Sequence, residues 1–131
     1  MKISVIGLGY VGAVSAGCLA KRGHQVIGAD VNPRKVALVN DGEAPVLEPG
    51  LPEAISEGVA AGRLRATEDA AQAVRETDVS LICVGTPSGS QGSLSLTALE
   101  RVCADIGPAL ARDGRRHTVV VRSTVLPGTT E

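Results

Sequence analysis

The chain opens with Lys2-Ile-Ser-Val-Ile-Gly7-Leu-Gly9-Tyr-Val-Gly12, and a second apolar stretch downstream ends in Ala29-Asp30. Glycine spacing alone constrains little, because 16 glycines in 131 residues make chance G-x-G-x-x-G matches common. The flanks carry the constraint. Ile3 to Ile6 is an apolar run of strand length, and a helical pattern follows that places Val11, Val14, Cys18 and Leu19 on one face. In such a strand, turn and helix, Gly7 permits the tight turn, Gly9 lets the backbone approach a pyrophosphate, and Gly12 lets the helix pack closely on the sheet. The phosphates then meet free N–H groups at a helix N-terminus.

Gly23 suits the C-cap of that helix, and Gln25 to Ala29 reads as a second strand that delivers Asp30 to its C-terminal tip. This completes a βαβ unit. A carboxylate at that tip accepts hydrogen bonds from the adenosine ribose hydroxyls and repels the additional phosphate of NADP, so the pattern favours NAD. The competing reading makes Asp30 a turn residue or the N-cap of a helix starting at Pro33, since Asp is common at both.

The rest of the chain is compatible with one such domain. It is 44% hydrophobic and 21% charged, with Tyr10 as its only aromatic residue. A core of Val, Ile, Leu and Ala suits parallel strands covered by helices on both faces. A net charge of −1 gives no electrostatic basis for binding nucleic acid or an anionic membrane. Apolar runs fall short of the ~20 residues of a membrane span, and a cytoplasmic location is the default expectation. Three cysteines without C-x-x-C spacing argue against a disulfide framework or a zinc site, and no metal is expected.

Strands and helices keep alternating beyond Asp30. Helices are predicted over Pro33 to Asn40, Leu51 to Ala61, Glu68 to Glu76 with Thr67 as N-cap, and Leu96 to Leu110. Strands are predicted over Arg63 to Thr67 at an edge, Asp78 to Val84 at the centre, and His117 to Arg122. Ser88 to Ser93 reads as a polar loop. The fold class is α/β, a Rossmann-type doubly wound parallel sheet of about five strands, one short of the full pattern and so truncated at its C-terminal side. The unpaired edge near Val119 to Val121 is expected to be adhesive, making the isolated chain marginal or prone to pair through strands.

Ligands of open parallel sheets sit at the carboxyl ends of the strands, which places Gly7 to Gly12, Asp30, Gly85-Thr86-Pro87 and Ser123-Thr124 around one crevice. Thr86 and Thr124 offer hydroxyls where ribose and nicotinamide would lie; ordinary turn and cap chemistry is the alternative for both short motifs.

Together, Ile6-Gly-Leu-Gly-Tyr-Val-Gly12, Asp30 with Lys35, Leu47-Glu-Pro-Gly-Leu51, Ile82-Cys-Val-Gly-Thr-Pro87 and Arg122-Ser-Thr-Val-Leu-Pro-Gly128 resemble the NAD-binding domain of the UDP-glucose/GDP-mannose dehydrogenase family. The resemblance spans the chain. Gly17-Cys-Leu19 and Arg116 to Thr129 look most like its GDP-mannose branch; the UDP-glucose and UDP-N-acetylmannosamine branches, or a non-catalytic NAD-sensing module, are the alternatives. The resemblance implies a two-step NAD-dependent oxidation of a sugar C6 hydroxyl to a uronate through a thiohemiacetal and a thioester. It also implies a nucleotide-sugar substrate, a homodimer, and cofactor contacts from the residues matching Tyr10, Val11, Asp30, Lys35, Thr86 and Thr124. For Lys35 a solvated helix lysine is the alternative.

The family's catalytic cysteine, lysine and glutamate would fall beyond Glu131, so no catalytic residue is assigned, and residues 1–131 are expected to be an incomplete domain that turns nothing over unaided. Cys18, Cys83 and Cys103 are all expected to be core residues. His24 and His117 precede strands, at the end of the sheet away from the crevice, and are given no chemistry. Glu68-Asp69 at a helix start and Arg115-Arg116 in a turn read as solvated charge. Glu48 either orients a loop near the cofactor or lies on the surface.

Overall fold

The computed structural model describes residues 1–84, 97–114 and 116–122. Gly85-Thr86-Pro87, the 88–93 loop and Ser123-Thr124 lie outside them.

Among the described residues five strands and five helices follow in order: β1 Lys2–Ile6, α1 Tyr10–Lys21, β2 Gln25–Ala29, α2 Pro33–Asn40, α3 Leu51–Ala60, β3 Leu64–Thr67, α4 Ala70–Arg75, β4 Val79–Ile82, α5 Thr97–Asp113 and β5 Thr118–Val121. All strand pairs are parallel, in the order β3-β2-β1-β4-β5. This is the doubly wound Rossmann-type order. Ile6 at the end of β1 lies level with Ala29 on one side and Ile82 on the other, so the strand ends are flush along the crevice where the winding reverses.

The two faces of the sheet bury separate cores. Val5, Val26, Leu8 and Leu64 pack under α1, α2 and α3, with Val39 and Ile55 from the helices. Ile6, Ile27, Ala29 and Ile82 pack under α4 and α5, against Val74, Leu99 and Ile106. Strands buried on both faces explain why β1 and β2 read as continuous apolar runs rather than alternating ones.

One periodicity reading is corrected. In α1 the buried side is Gly12, Ala13, Ala16, Gly17 and Ala20, while Val11 and Cys18 are exposed. The cause is close helix crossing: a Cβ on Gly17 would stand 3.1 Å from Leu51 Cδ1, and one on Gly58 of α3 would stand 3.1 Å from Ala20 Cβ. Sandwiched between the sheet and α3, the helix must turn its smallest residues inward, so bulk misleads about facing. Cys103 is also exposed, lying off the Leu99, Ile106 and Ala109 stripe of α5. Only Cys83 is buried as expected.

The start of α4 is shorter than predicted. Asp69, not Thr67, caps it by accepting from Gln72 N at 3.1 Å, and Thr67 Oγ1 instead accepts from Asp69 N to shape the preceding turn. β3 and β5 are the sheet edges, and on β5 Val119 and Val120 are 37% and 39% exposed.

Sequence gave no sign of a buried polar chain across three strands. Ser4 and Ser80, paired in the β1/β4 register, place their hydroxyls 2.5 Å apart, and Ser80 Oγ lies 2.8 Å from His117 Nε2. His117 thus secures two hydroxyls that the apolar interior would otherwise penalise.

Candidate cofactor site

The glycine-rich turn is held in place from several sides. Gly7 has φ +98°, a region L side chains rarely enter, and its N–H donates to Ala29 O at 2.7 Å. Gly12 faces the turn so closely that a Cβ there would stand 1.7 Å from Gly7 O. Both glycines are required by the fold, independent of any ligand.

Gly9 differs. Its φ of −75° is ordinary, and among the described residues a Cβ added to it meets nothing within 4 Å. It occupies the N-cap of α1 without offering a side-chain acceptor, so the first N–H groups of the helix lack a cap. A helix start that is bare of side chains, open in front and positive by its dipole has the shape and charge for a phosphate group.

Asp30 sits at the tip of β2. One carboxylate oxygen accepts from Leu8 N at 2.8 Å, inside the glycine turn, and the other accepts from Asn32 N at 2.8 Å. The turn-residue reading of Asp30 therefore describes part of its work, while the N-cap reading is wrong: Asn32 caps α2, accepting from Arg34 N at 3.0 Å. Each carboxylate oxygen retains lone-pair capacity for a ribose hydroxyl. Lys35 lies in the first turn of α2, half-buried, on the element that follows Asp30.

Leu8, which no spacing rule singled out, locks these parts together. It is 1% exposed, and Gly28 of β2 has no side chain so that Leu8 can lie against it; a Cβ there would stand 2.9 Å from Leu8 Cδ2.

Tyr10 and Val11 begin α1, and both are exposed. The Tyr10 phenol donates to Leu47 O at 2.5 Å, reaching the loop that carries Glu48. The neighbouring Glu48 carboxylate, as a second acceptor and a negative charge, pushes the Tyr10 hydroxyl above its ordinary pKa. At the end of β4, burial pushes the Cys83 thiol up, against a smaller opposite pull from the Arg122 guanidinium. A thiol held protonated in this way is a poor nucleophile.

A hollow of about 710 Å³ lies at the other end of the sheet, lined by Lys2, Arg63, Arg65 and Arg75 among others. It contains none of the fingerprint residues, and Arg65 is already paired with Glu76 at 2.8 Å. Among the described residues no helix is long and apolar enough to cross a membrane.

Residues 1–131 match the family described as UDP-glucose/GDP-mannose dehydrogenase family, NAD binding domain. GDP-mannose 6-dehydrogenase from Pseudomonas putida is 59% identical over 129 residues, 98% of this chain and 30% of that protein. UDP-glucose 6-dehydrogenase from Haloferax volcanii is 44% identical over 130 residues, 99% of this chain and 30% of that protein. The crystal structure of a ternary complex of GDP-mannose dehydrogenase from Pseudomonas aeruginosa superposes with a TM-score of 0.97 at 56% identity, covering 99% of this chain and 30% of that one. The chain thus spans about 30% of the length of the curated relatives it matches. By sequence and by fold, this chain belongs to the UDP-glucose/GDP-mannose dehydrogenase family, matching its NAD binding domain.

Proposed function

We propose that this chain is the NAD-binding portion of a nucleotide-sugar 6-dehydrogenase whose substrate is GDP-mannose, oxidised at C6 to the uronate in two NAD-dependent steps. The observation that supports the cofactor half of the reading is the space in front of Gly9, which no described residue fills within 4 Å of a Cβ placed there. GDP-mannose is favoured over UDP-glucose by the higher identity to the GDP-mannose enzymes, 59% against 44%.

The cofactor supplies hydride acceptance, and the chain's own residues bind and orient it. Gly7 and Gly12 shape the turn, and Gly9, Tyr10 and Val11 present the start of α1 to the pyrophosphate. Asp30 and Lys35 recognise the adenosine ribose, with the Asp30 charge disfavouring a 2′-phosphate. Thr86 and Thr124 belong to the same assignment through the family resemblance. The parent protein is proposed to be a homodimer, on the same resemblance, and to work in the cytoplasm, where NAD and nucleotide sugars share one pool.

Calorimetric titration of the 131-residue chain tests the reading. Saturable binding of NAD with much weaker binding of NADP is expected, and no NADH should form from GDP-mannose, because hydride transfer also requires a positioned substrate. A folded chain that ignores NAD would remove the cofactor assignment; NADH formed by this chain with GDP-mannose would show that its catalytic groups lie within these residues.

A further inference from the structure

The loop between α2 and α3, residues 41–50, is tied down unevenly. Ala44 and Val46 pack against the core beneath α1 and α3. At the tip the Leu47 side chain is 93% exposed and anchors nothing. What holds the tip is backbone chemistry: Leu47 O accepts from the Tyr10 phenol, and Glu48 O accepts from Leu51 N at 3.1 Å as α3 begins. Tyr10 is the first residue of α1, so its side chain bridges the start of the cofactor-facing helix and a loop 37 residues away.

We propose that Tyr10 is a positioning residue whose hydrogen bond to Leu47 O forms a latch that fixes the 41–50 loop to the first turn of α1 and thereby holds both as one wall of the cofactor cradle. The proposal rests on the reading of that cradle as the NAD site, but the latch itself exists without ligand. The phenol serves as donor, and a donor must keep its proton. The Glu48 carboxylate beside it favours the protonated phenol, both as an alternative acceptor for its one O–H and by disfavouring a second negative charge. Glu48 thus acts through Tyr10 rather than on the cofactor. Because loop order and cradle order share one contact, whatever binds the cradle tightens the loop, and the converse follows by linkage.

Tyr10 is the only aromatic residue of the chain, so tyrosinate absorbance in a pH titration reports this one side chain. In the wild-type chain the phenol is expected to titrate above free tyrosine, and Glu48→Gln, which retains an acceptor but removes the charge, should move the midpoint down while leaving the loop intact. Tyr10→Phe should leave the fold intact, speed proteolytic cleavage within residues 41–50 without ligand, and weaken NAD binding by about threefold to tenfold. A phenol titrating like free tyrosine, or a Tyr10→Phe loop cleaved no faster than wild type, overturns the latch. NAD failing to bind a wild-type chain that shows the raised titration and the protected loop overturns the cofactor reading alone.

Discussion

α1 and α2 begin one strand apart, both at the carboxyl end of the sheet, yet they begin in opposite ways. α2 has Asn32 at its N-cap, accepting from Arg34 N, followed by Pro33 at its first position. α1 has Gly9 and no side-chain acceptor. A capping side chain contributes about 1 kcal/mol over Ala, and glycine forgoes only a few tenths of that. The bare start therefore costs little, and among the described residues it leaves the N–H groups of the first turn without a side-chain cap and the space beside Gly9 open. The difference teaches that one helix start is completed by its own capping side chain, while the other has no side-chain cap and, on the proposed reading, is completed by the cofactor.

The comparison is broken most severely at Gly12. Gly12→Ala would put a methyl 1.7 Å from Gly7 O, so the turn must open. A loss of more than about 3 kcal/mol of stability is expected, measured by thermal or denaturant unfolding, with binding lost as a secondary effect. Unchanged stability would mean that the turn is not held as tightly as its geometry indicates.

Gly9 sharpens the contrast, since no described residue opposes a side chain there. Gly9→Asp would convert α1 into a helix that starts like α2: stability should hold or rise by about 0.3–1 kcal/mol, while NAD binding weakens by about 3 kcal/mol or more, as a carboxylate occupies the phosphate's place. Parallel loss of stability and binding in this variant would reject the reading of Gly9 as a residue kept for the ligand.

Asp30→Ala belongs to both sides of the comparison. NAD binding is expected to weaken by about 1–3 kcal/mol through loss of charge-assisted bonds to ribose. The N–H groups of Leu8 and Asn32 also lose their acceptor, so a fall in stability should accompany it. Unchanged affinity would reject Asp30 as the ribose ligand. The smallest effect is the control: Asn32→Ala should cost about 1 kcal/mol of stability and leave NAD affinity alone.

Much of the fold was legible because its signals are local. Apolar runs gave β1 and β2, and Pro33 with the Asp41-Gly42 break bounded α2 correctly. The parallel order followed from alternating strands and helices, whose crossovers leave few topologies. Facing and capping were less legible. Hydropathy placed Val11 and Cys18 inward on α1, but the crossing with α3 rewards small residues, and only tertiary packing reveals that Gly17 and Gly58 meet larger neighbours. Thr67 and Asp69 are both good caps, and the choice between them was settled by where β3 ends. At the site, the glycines and Asp30 announced themselves by spacing. Leu8 did not, because its role depends on a missing side chain at Gly28 on another strand, and Tyr10 could not be joined to Leu47 without the loop's path.

Leu8 has one more consequence. Its N–H is fastened to Asp30 and its side chain is seated over Gly28, so the turn that would meet the pyrophosphate and the carboxylate that would meet the ribose form one rigid body before any ligand arrives. Little ordering entropy then remains to be lost on binding, and preorganisation of this kind raises affinity without adding a contact. A dinucleotide whose two ends rotate freely in solution would meet two halves of its receptor already joined to each other.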